Sequence, residues 1–309
     1  MRLFKNRGDI YIAKSGVNAS KQTKILYALL AATVVFTVVF VVLLSQRYDT
    51  VAAFFADGEV TATEQAVLSD EEQLPHIAGK TNFLVMETDD AQTELHYLFL
   101  LQADKDNLAY KTAALPLDLT VEGVPITDIF AQGGSAALQK QLTEYFGFTI
   151  DYQVQFKASS FVEFVNKLGS FVYTANREIR FSGGEGDDSY SLRVNEGEQR
   201  LSGRDINNLL RYYAQEEKNY AAENELVLAM FRGIFNTENY EKSDSLYRLF
   251  VKSCNTDITV RDFENGKNAL MVYCTKNTDI TVYAVTAEAQ DGELTAETLK
   301  ALKGYFSHE

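Results

Sequence analysis

The stretch Gly133-Gly-Ser-Ala-Ala-Leu-Gln-Lys-Gln-Leu-Thr-Glu-Tyr-Phe-Gly147, followed by Phe148-Thr-Ile-Asp-Tyr-Gln-Val-Gln-Phe-Lys157 and Ala158-Ser-Ser-Phe-Val-Glu-Phe-Val-Asn-Lys-Leu-Gly169, changes its hydrophobic period twice. Leu138, Leu142, Tyr145 and Phe146 share one face at helical spacing. Gly133-Gly134-Ser135 opens that helix and Gly147 ends it. Asp151 to Phe156 then reads as a strand. Ser159 or Ser160 caps a second helix, which carries Phe161, Phe164, Val165 and Leu168 and stops at Gly169. Strands alternating with helices of this length predict an α/β sandwich.

The flanks extend the pattern. Asn82 to Glu87 and Leu95 to Leu101 are short apolar runs, as expected of strands covered on both faces. A third strand, Leu108 to Leu115, follows the turn Asp104-Lys-Asp-Asn107. Downstream, Phe171 to Tyr173 and Ile179 to Phe181 read as strands, and Arg204 to Gln215 and Glu223 to Phe235 as helices. The loop Ser182 to Ser189 sets three acids among glycines, without the regular spacing of a calcium loop. It reads as a solvated hairpin tip. The hexapeptide Asn-Thr-Asp-Ile-Thr-Val occurs at 255–260 and at 277–282, too short and too few to make a repeat.

Ile25 to Leu44 contains no charge, and at about 1.5 Å per residue it spans roughly 30 Å as a helix, a bilayer's hydrocarbon thickness. A signal-peptide core is shorter and precedes a small-residue cleavage site, whereas here Ser45-Gln-Arg-Tyr-Asp49 follows. A retained transmembrane helix over residues 25–45 is expected. Residues 1–24 hold six Lys or Arg against Asp9, a balance of +5. The positive-inside bias keeps that tail cytoplasmic and places everything after Leu44 outside, a single-pass type II arrangement in the cell membrane. The chain's net charge of −14 leaves −19 for the outer part. Residues 46–80 read as a juxtamembrane connector and 81–309 as the extracellular domain.

Roughly 260 residues suffice for a large packed core, and the whole chain's 46% hydrophobic and 12% aromatic content argues for a globular fold. The acidic balance disfavours nucleic acid as a partner, since that needs clustered Lys and Arg. Cys254 and Cys274, the only cysteines, lie on the oxidising side, where a disulfide and two separate buried thiols both remain open. The chain has no G-x-S-x-G, H-E-x-x-H or P-loop, and no cysteine–histidine set. His96 sits within an apolar strand and reads as a core histidine.

From Asn82 to about Ala284 the chain resembles the LytR-CpsA-Psr family, membrane-anchored proteins of mainly Gram-positive envelopes. The block Gly133 to Gly169 is similar to the family's Gly-Gly helix, its Gly-x-x-Ile-Asp-Tyr strand and its Phe-x-x-x-Val-x-x-Leu-Gly helix. Leu201-Ser-Gly-Arg-Asp-Ile-Asn-Asn-Leu-Leu-Arg211 resembles the family's Leu-Asn-Gly-x-x-Ala-Leu-x-Tyr-x-Arg. The resemblance implies an α-β-α sandwich with a central mixed sheet. It also implies transfer of polyprenyl-pyrophosphate-linked anionic glycopolymers onto peptidoglycan, with two acids on Mg²⁺, arginines on the pyrophosphate and a greasy cavity for the lipid tail. Carried over by motif, Asp89 and Glu94 are the metal candidates, and Arg211 and Asp118 are remnants of the catalytic set. Leu138, Leu142, Phe146, Phe161, Phe164, Val165 and Leu168 would wall a lipid pocket.

The departures concentrate on the arginines. The family's Gly-Ser-Asp-Ser-Arg reads Glu87-Thr-Asp89-Asp-Ala91, its Arg-Ser-Asp reads Gln92-Thr-Glu94, and its Pro-Arg-Asp reads Pro116-Leu117-Asp118. Tyr213 replaces the second arginine of Arg-x-Arg, and Asp-x-x-Arg-x-x-Arg-Gln reads Glu217-Lys-Asn-Tyr220-Ala-Ala-Glu223-Asn224. Forked guanidinium donors neutralise pyrophosphate charge well, so their loss points to a pseudoenzyme that binds an envelope lipid, a cell-wall glycopolymer or a paralogous member of the family. The alternative is a phosphotransferase that uses Asp89, Glu94, Asp118, Arg211 and basic groups such as Arg204 or Lys218.

Overall fold

The computed structural model describes residues 74–308 except 185, 187 and 188. The expected transmembrane helix, the cytoplasmic tail and most of the connector lie outside the described residues. Among the described residues no helix is long and apolar enough to cross a membrane.

Three strands open the domain: β1 (Lys80–Thr88), β2 (Leu95–Asp104) and β3 (Ala109–Ala114), with two short strands after them, β4 (Thr120–Val121) and β5 (Val124–Pro125). Helix α1 (Ile126–Phe146), β6 (Tyr152–Lys157) and α2 (Ala158–Leu168) come next. Two ribbons follow, in which β7 (Phe171–Ala175) pairs with β10 (Gly197–Leu201) and β8 (Ile179–Gly183) with β9 (Tyr190–Val194). Then come α3 (Gly203–Arg211), α4 (Tyr220–Ile234), α5 (Thr237–Glu241), α6 (Ser243–Ser253), β11 (Cys254–Thr256) and α7 (Val260–Thr275). The chain closes with β12 (Thr281–Ala284), β13 (Ala289–Gln290), β14 (Glu293–Leu294) and α8 (Ala296–Phe306).

The central sheet runs β11-β6-β1-β2-β3-β12. It is mixed: β1 lies antiparallel to β2 and parallel to β6, and β3 lies antiparallel to β2 and parallel to β12. Period-2 alternation then sorts the strand residues between two cores. Leu84, Met86, Leu98 and Leu100 face one core, together with Leu138, Leu142 and Phe146 of α1 and Leu302 and Phe306 of α8. Tyr97, Phe99, Val154 and Phe156 face the other, against Phe161 and Val165 of α2, Ile206, Leu209 and Leu210 of α3, and Leu226, Val227 and Met230 of α4. The expected helix–sheet–helix layering is therefore present.

Local chemistry sets most ends as expected. Gly147 takes the left-handed conformation and its N–H reaches Thr143 O at 3.0 Å. Gly134, at φ 68° and ψ −167°, breaks α1, so a helical segment from Ile126 precedes the one that the glycines open. The serine cap of α2 is a correction. The N-cap residue is Lys157, without a side-chain bond, and Ser159 instead donates from N–H and Oγ to Asp90 Oδ1 at 3.0 and 2.8 Å. A loop carboxylate from beyond β1 thus caps the helix. The two hexapeptides adopt unrelated structures. In one, Thr259 caps α7 in a capping box with Asp262; the other runs from a 3-10 turn into β12.

Cys254 and Cys274 are free, so the bridge left open by the sequence is not formed. Burial pushes each thiol up to about 12. At pH 8 only about one part in ten thousand is thiolate, the reactive form. The expected outcome is two titratable thiols after denaturation without reductant and almost none in the native protein. An absence of free thiol after denaturation would reinstate the disulfide.

Candidate functional site

Helix α3 presents Arg204, Asn207, Asn208 and Arg211 along one stripe, the spacing of one helical face. Its start is fixed by a capping box in which Ser202 Oγ accepts from Asp205 N–H and Asp205 accepts from Ser202 N–H. Gly203 lets α3 sit tightly on α2, since a Cβ there would meet Val162 O at 2.6 Å. The stripe forms one wall of a cleft of about 930 Å³. The cleft is also lined by Asp89, Asp90 and Ala91 after β1, Ser159 and Glu163 of α2, and Tyr190. Two guanidinium groups and two amides thus share it with three carboxylates. Arg211 is almost fully buried, its guanidinium carbon 4.3 Å from the centre of the Tyr190 ring. Asn208 Nδ2 donates to Ser191 O at 2.9 Å and holds the ribbon against the helix.

Asp89 and Glu94 close a tight loop. Asp89 Oδ1 accepts from the N–H groups of Thr93 at 2.6 Å and Glu94 at 2.8 Å, and Oδ2 accepts from Thr93 Oγ1 at 3.0 Å. Burial acts to raise the Asp89 pKa, but these donors outweigh it and hold the carboxyl below its ordinary value. Gln92, at φ 62°, supplies the left-handed turn. The two acids hydrogen-bond to each other only through the Glu94 peptide. Among the described residues no three carboxylate, imidazole or thiol groups converge as a metal set. These residues do not fit a Mg²⁺ site, because the Asp89 carboxylate already serves the loop backbone.

The other expected site residues are dispersed. Asp118 lies in a second cleft of about 610 Å³ with Glu217, Tyr220 and Glu288, and its Oδ2 accepts from Lys218 Nζ at 2.6 Å. It does not join Arg211. Tyr213 is buried in the second core with its hydroxyl 3.2 Å from that of Tyr173. Leu117 packs against the first core, and Ala91 is exposed. The single lipid pocket is a correction: Leu138, Leu142 and Phe146 belong to the first core, whereas Phe161, Phe164, Val165 and Leu168 belong to the second. The sheet separates them.

A buried polar floor beneath the cleft escaped the sequence reading. Tyr97 donates from its hydroxyl to Asn207 Oδ1 at 3.1 Å. Burial raises its pKa most, Glu87 and Glu223 add to the rise, and Arg211 opposes it, so these charges converge on one ring. His96 Nδ1 lies 2.9 Å from Glu87 Oε2, both fully buried. Glu223 is also fully buried, neither carboxyl oxygen has a hydrogen-bond partner, and desolvation raises its pKa well above the ordinary value. Beside it, Asn224 accepts from Ala114 N–H at 2.8 Å and donates to Val285 O at 3.1 Å, tying α4 to the sheet. One signal was available: Glu223 occupies the stripe of Leu226, Val227 and Met230, where an apolar residue belongs. A π-helical turn, Tyr212–Glu217, leads from the α3 stripe to this acid.

Among solved structures, the fold is similar to a protein of Eubacterium siraeum DSM 15702, with 15% identity, TM-score 0.64, and coverage of 76% of this chain and 95% of that one. It is similar to Bacillus subtilis TagV at 15% identity and TM-score 0.57, covering 74% and 96%. TagT bound to LI-WTA matches at 15% identity and TM-score 0.55, covering 74% and 89%. An uncharacterized protein of Staphylococcus aureus (strain NCTC 8325 / PS 47) is 22% identical over 187 residues, 60% of this chain but only 44% of its own length. The family model described as LytR_cpsA_psr matches residues 55–303. That match spans the sheet, both cores and the cleft, and the chain belongs to the LytR-CpsA-Psr family.

Proposed function

We propose that this protein is a membrane-tethered, extracytoplasmic LytR-CpsA-Psr protein that binds a cell-envelope glycopolymer in the α3 cleft and does not transfer it. The observation that carries this reading is what stands where the family pattern has arginine. Tyr213 is core, Leu117 packs against the first core and Glu223 is a buried acid, while Asp118, an acid the family pattern keeps, is paired with Lys218 in a different cleft. The cleft that remains combines amides, the Tyr190 ring, the Arg204 and Arg211 guanidinium groups and the carboxylates of Asp89, Asp90 and Glu163, a mixed polar set suited to sugar hydroxyls, with exposed Arg204 for an acidic substituent. The split of the apolar residues between two cores disfavours the lipid reading. The +5 tail before residues 25–44 supports a type II arrangement.

Full-length protein in detergent is expected to bind purified teichoic-acid-type polymer without Mg²⁺-dependent transfer. Exposed Arg204 touches the ligand directly, and a charge-assisted contact contributes roughly 1.5–3 kcal/mol, so Arg204→Glu is expected to weaken binding at least about tenfold. Mg²⁺-dependent transfer by the unmodified protein, abolished by Asp89→Ala, would overturn the reading in favour of the phosphotransferase. Topology has its own check: a cysteine at position 10 is expected to be shielded from an impermeant reagent in intact cells and one at position 70 labelled. The reverse pattern would refute the localisation.

A further inference from the structure

One edge of the central sheet is open. β12 pairs in parallel with β3 on its inner side only, in the register Thr281↔Ala109 to Ala284↔Thr112. Thr281 N–H donates to Leu108 O and Val285 N–H to Thr112 O, while Val285 O accepts from Asn224. The odd-numbered residues therefore direct their peptide groups inward, and Val282 and Ala284 direct theirs outward. No partner engages those outward groups among the described residues. Natural edges are usually blunted by lysine, proline, a bulge or extreme shortness. Residues 281–284 carry no lysine or proline and pair without a register shift, so of these devices the edge has only its shortness, four residues.

Two further features lie along the same line. Tyr283 and Tyr305 form an exposed aromatic pair beside the edge, ring centroids 5.8 Å apart and each 39% exposed. Beyond β12 the chain continues through Thr286 to Ala289 into the wall of the second cleft, where Lys218 pairs with Asp118 and Arg177 with Glu217, and Glu288 is the lining acid without an ion pair among the described residues. An open edge that leads to an uncompensated glutamate, with aromatic faces beside it, on a chain of net charge −14, matches an extended segment bearing Arg or Lys.

We propose that β12 is a docking edge for an extended basic peptide segment of a partner protein. The segment adds as a seventh strand outside β12 and places its cationic side chains against the tyrosine pair and Glu288. A second copy of this chain fits poorly: its net charge is −14, and edge-to-edge pairing would bring two Glu288 carboxylates and two net-negative chains together.

The test uses the full-length protein in detergent and two synthetic ten-residue peptides of alternating valine and threonine, one ending in two arginines and the other in two glutamates. In fluorescence anisotropy the arginine peptide is expected to bind at least about tenfold more tightly than the glutamate peptide. Glu288→Arg is expected to remove most of that preference. Ala284→Pro, which deletes an outward N–H unused by the fold, should abolish binding of both. Because that proline could disturb the strand, hydrogen exchange on the unmodified protein supplies a second readout, with protection on peptide binding at the Val282 and Ala284 amides. Equal affinity for the two peptides, binding without that protection, or no binding would overturn the proposal. So would protein self-association that protects the same amides in the absence of peptide, because the edge would then serve a second copy.

Discussion

A chain lacking residues 296–309 is expected to lose its cooperative thermal unfolding transition. Helix α8 looks peripheral, eleven residues at the end of the chain, yet the first core and the sheet both depend on it. Leu302 and Phe306 are fully buried, and Phe306 stacks on Phe148 at 5.8 Å. The carbonyls left free at the end of a helix need donors, and here the strands supply them. Tyr305 O accepts from Lys111 Nζ at 2.9 Å, Phe306 O from Asn82 Nδ2 at 2.8 Å and Gln102 Nε2 at 3.1 Å, and Ser307 O from Lys80 Nζ at 3.1 Å. Deletion forfeits the burial of these two large apolar side chains, about 1.5–3 kcal/mol each. It also removes one hydrogen bond each from Asn82, Gln102 and Lys111, which keep Thr149 O, Asn82 Oδ1 and Asp104 as partners, at about 0.5–1.5 kcal/mol apiece. Together these are comparable to the whole stability of a typical domain, about 5–15 kcal/mol. Circular dichroism would detect the loss, and a truncated chain melting within a few degrees of the full one would refute it. Phe306→Ala tests the same contact more gently, with an expected cost of about 3–5 kcal/mol.

The latch also marks where the sequence became illegible. The strands and the helices over 133–147 and 158–169 announce themselves because each obeys a local period and both helices end at a glycine. Helix α8 carries only Leu299, Leu302 and Phe306 on its apolar face and lies beyond the segment whose motifs are similar to the family's. The apolar faces of α1 and α2 were both legible, but not the side of the sheet on which each lies. That depends on strand order: α1 carries the chain from the β3 side across to β6, whereas α2 leaves β6 for ribbons outside the sheet. Reading the two faces as one cavity wall was therefore an error of topology, not of patterning. The arginine losses show the same limit. Their absence was plain at Tyr213 and Glu223, but only packing reveals that a core contact and a buried acid took their places.

Replacing Glu223 with glutamine is expected to stabilise the protein, and increasingly so as pH rises. A carboxyl sealed from water without a donor disfavours its charged form, so its folded pKa lies well above the ordinary value of 4.5. Below about pH 4.5 the group is protonated in both states and contributes no penalty. Above it the unfolded chain ionises while the folded one does not, and folding loses about 1.4 kcal/mol per pH unit until the folded pKa is passed. Asp104 acts in the opposite direction. Burial raises its pKa, but hydrogen bonds from Lys111 and Asn107 outweigh that, so its contribution is lost only as pH falls below the carboxylate range. Denaturant melts at pH 5 and pH 8 should show the Glu223→Gln gain growing between them. Parallel profiles for the two proteins would refute a buried neutral acid. The same environment decides what Glu223→Arg would do. A buried charge without a counter-charge costs about 3–5 kcal/mol, and Arg211 already acts on the same ring, Tyr97. That substitution is expected to destabilise the domain by a comparable amount, not to rebuild a phosphate clamp, because Tyr97, Glu87 and the core around Tyr213 now fill the space beneath the cleft.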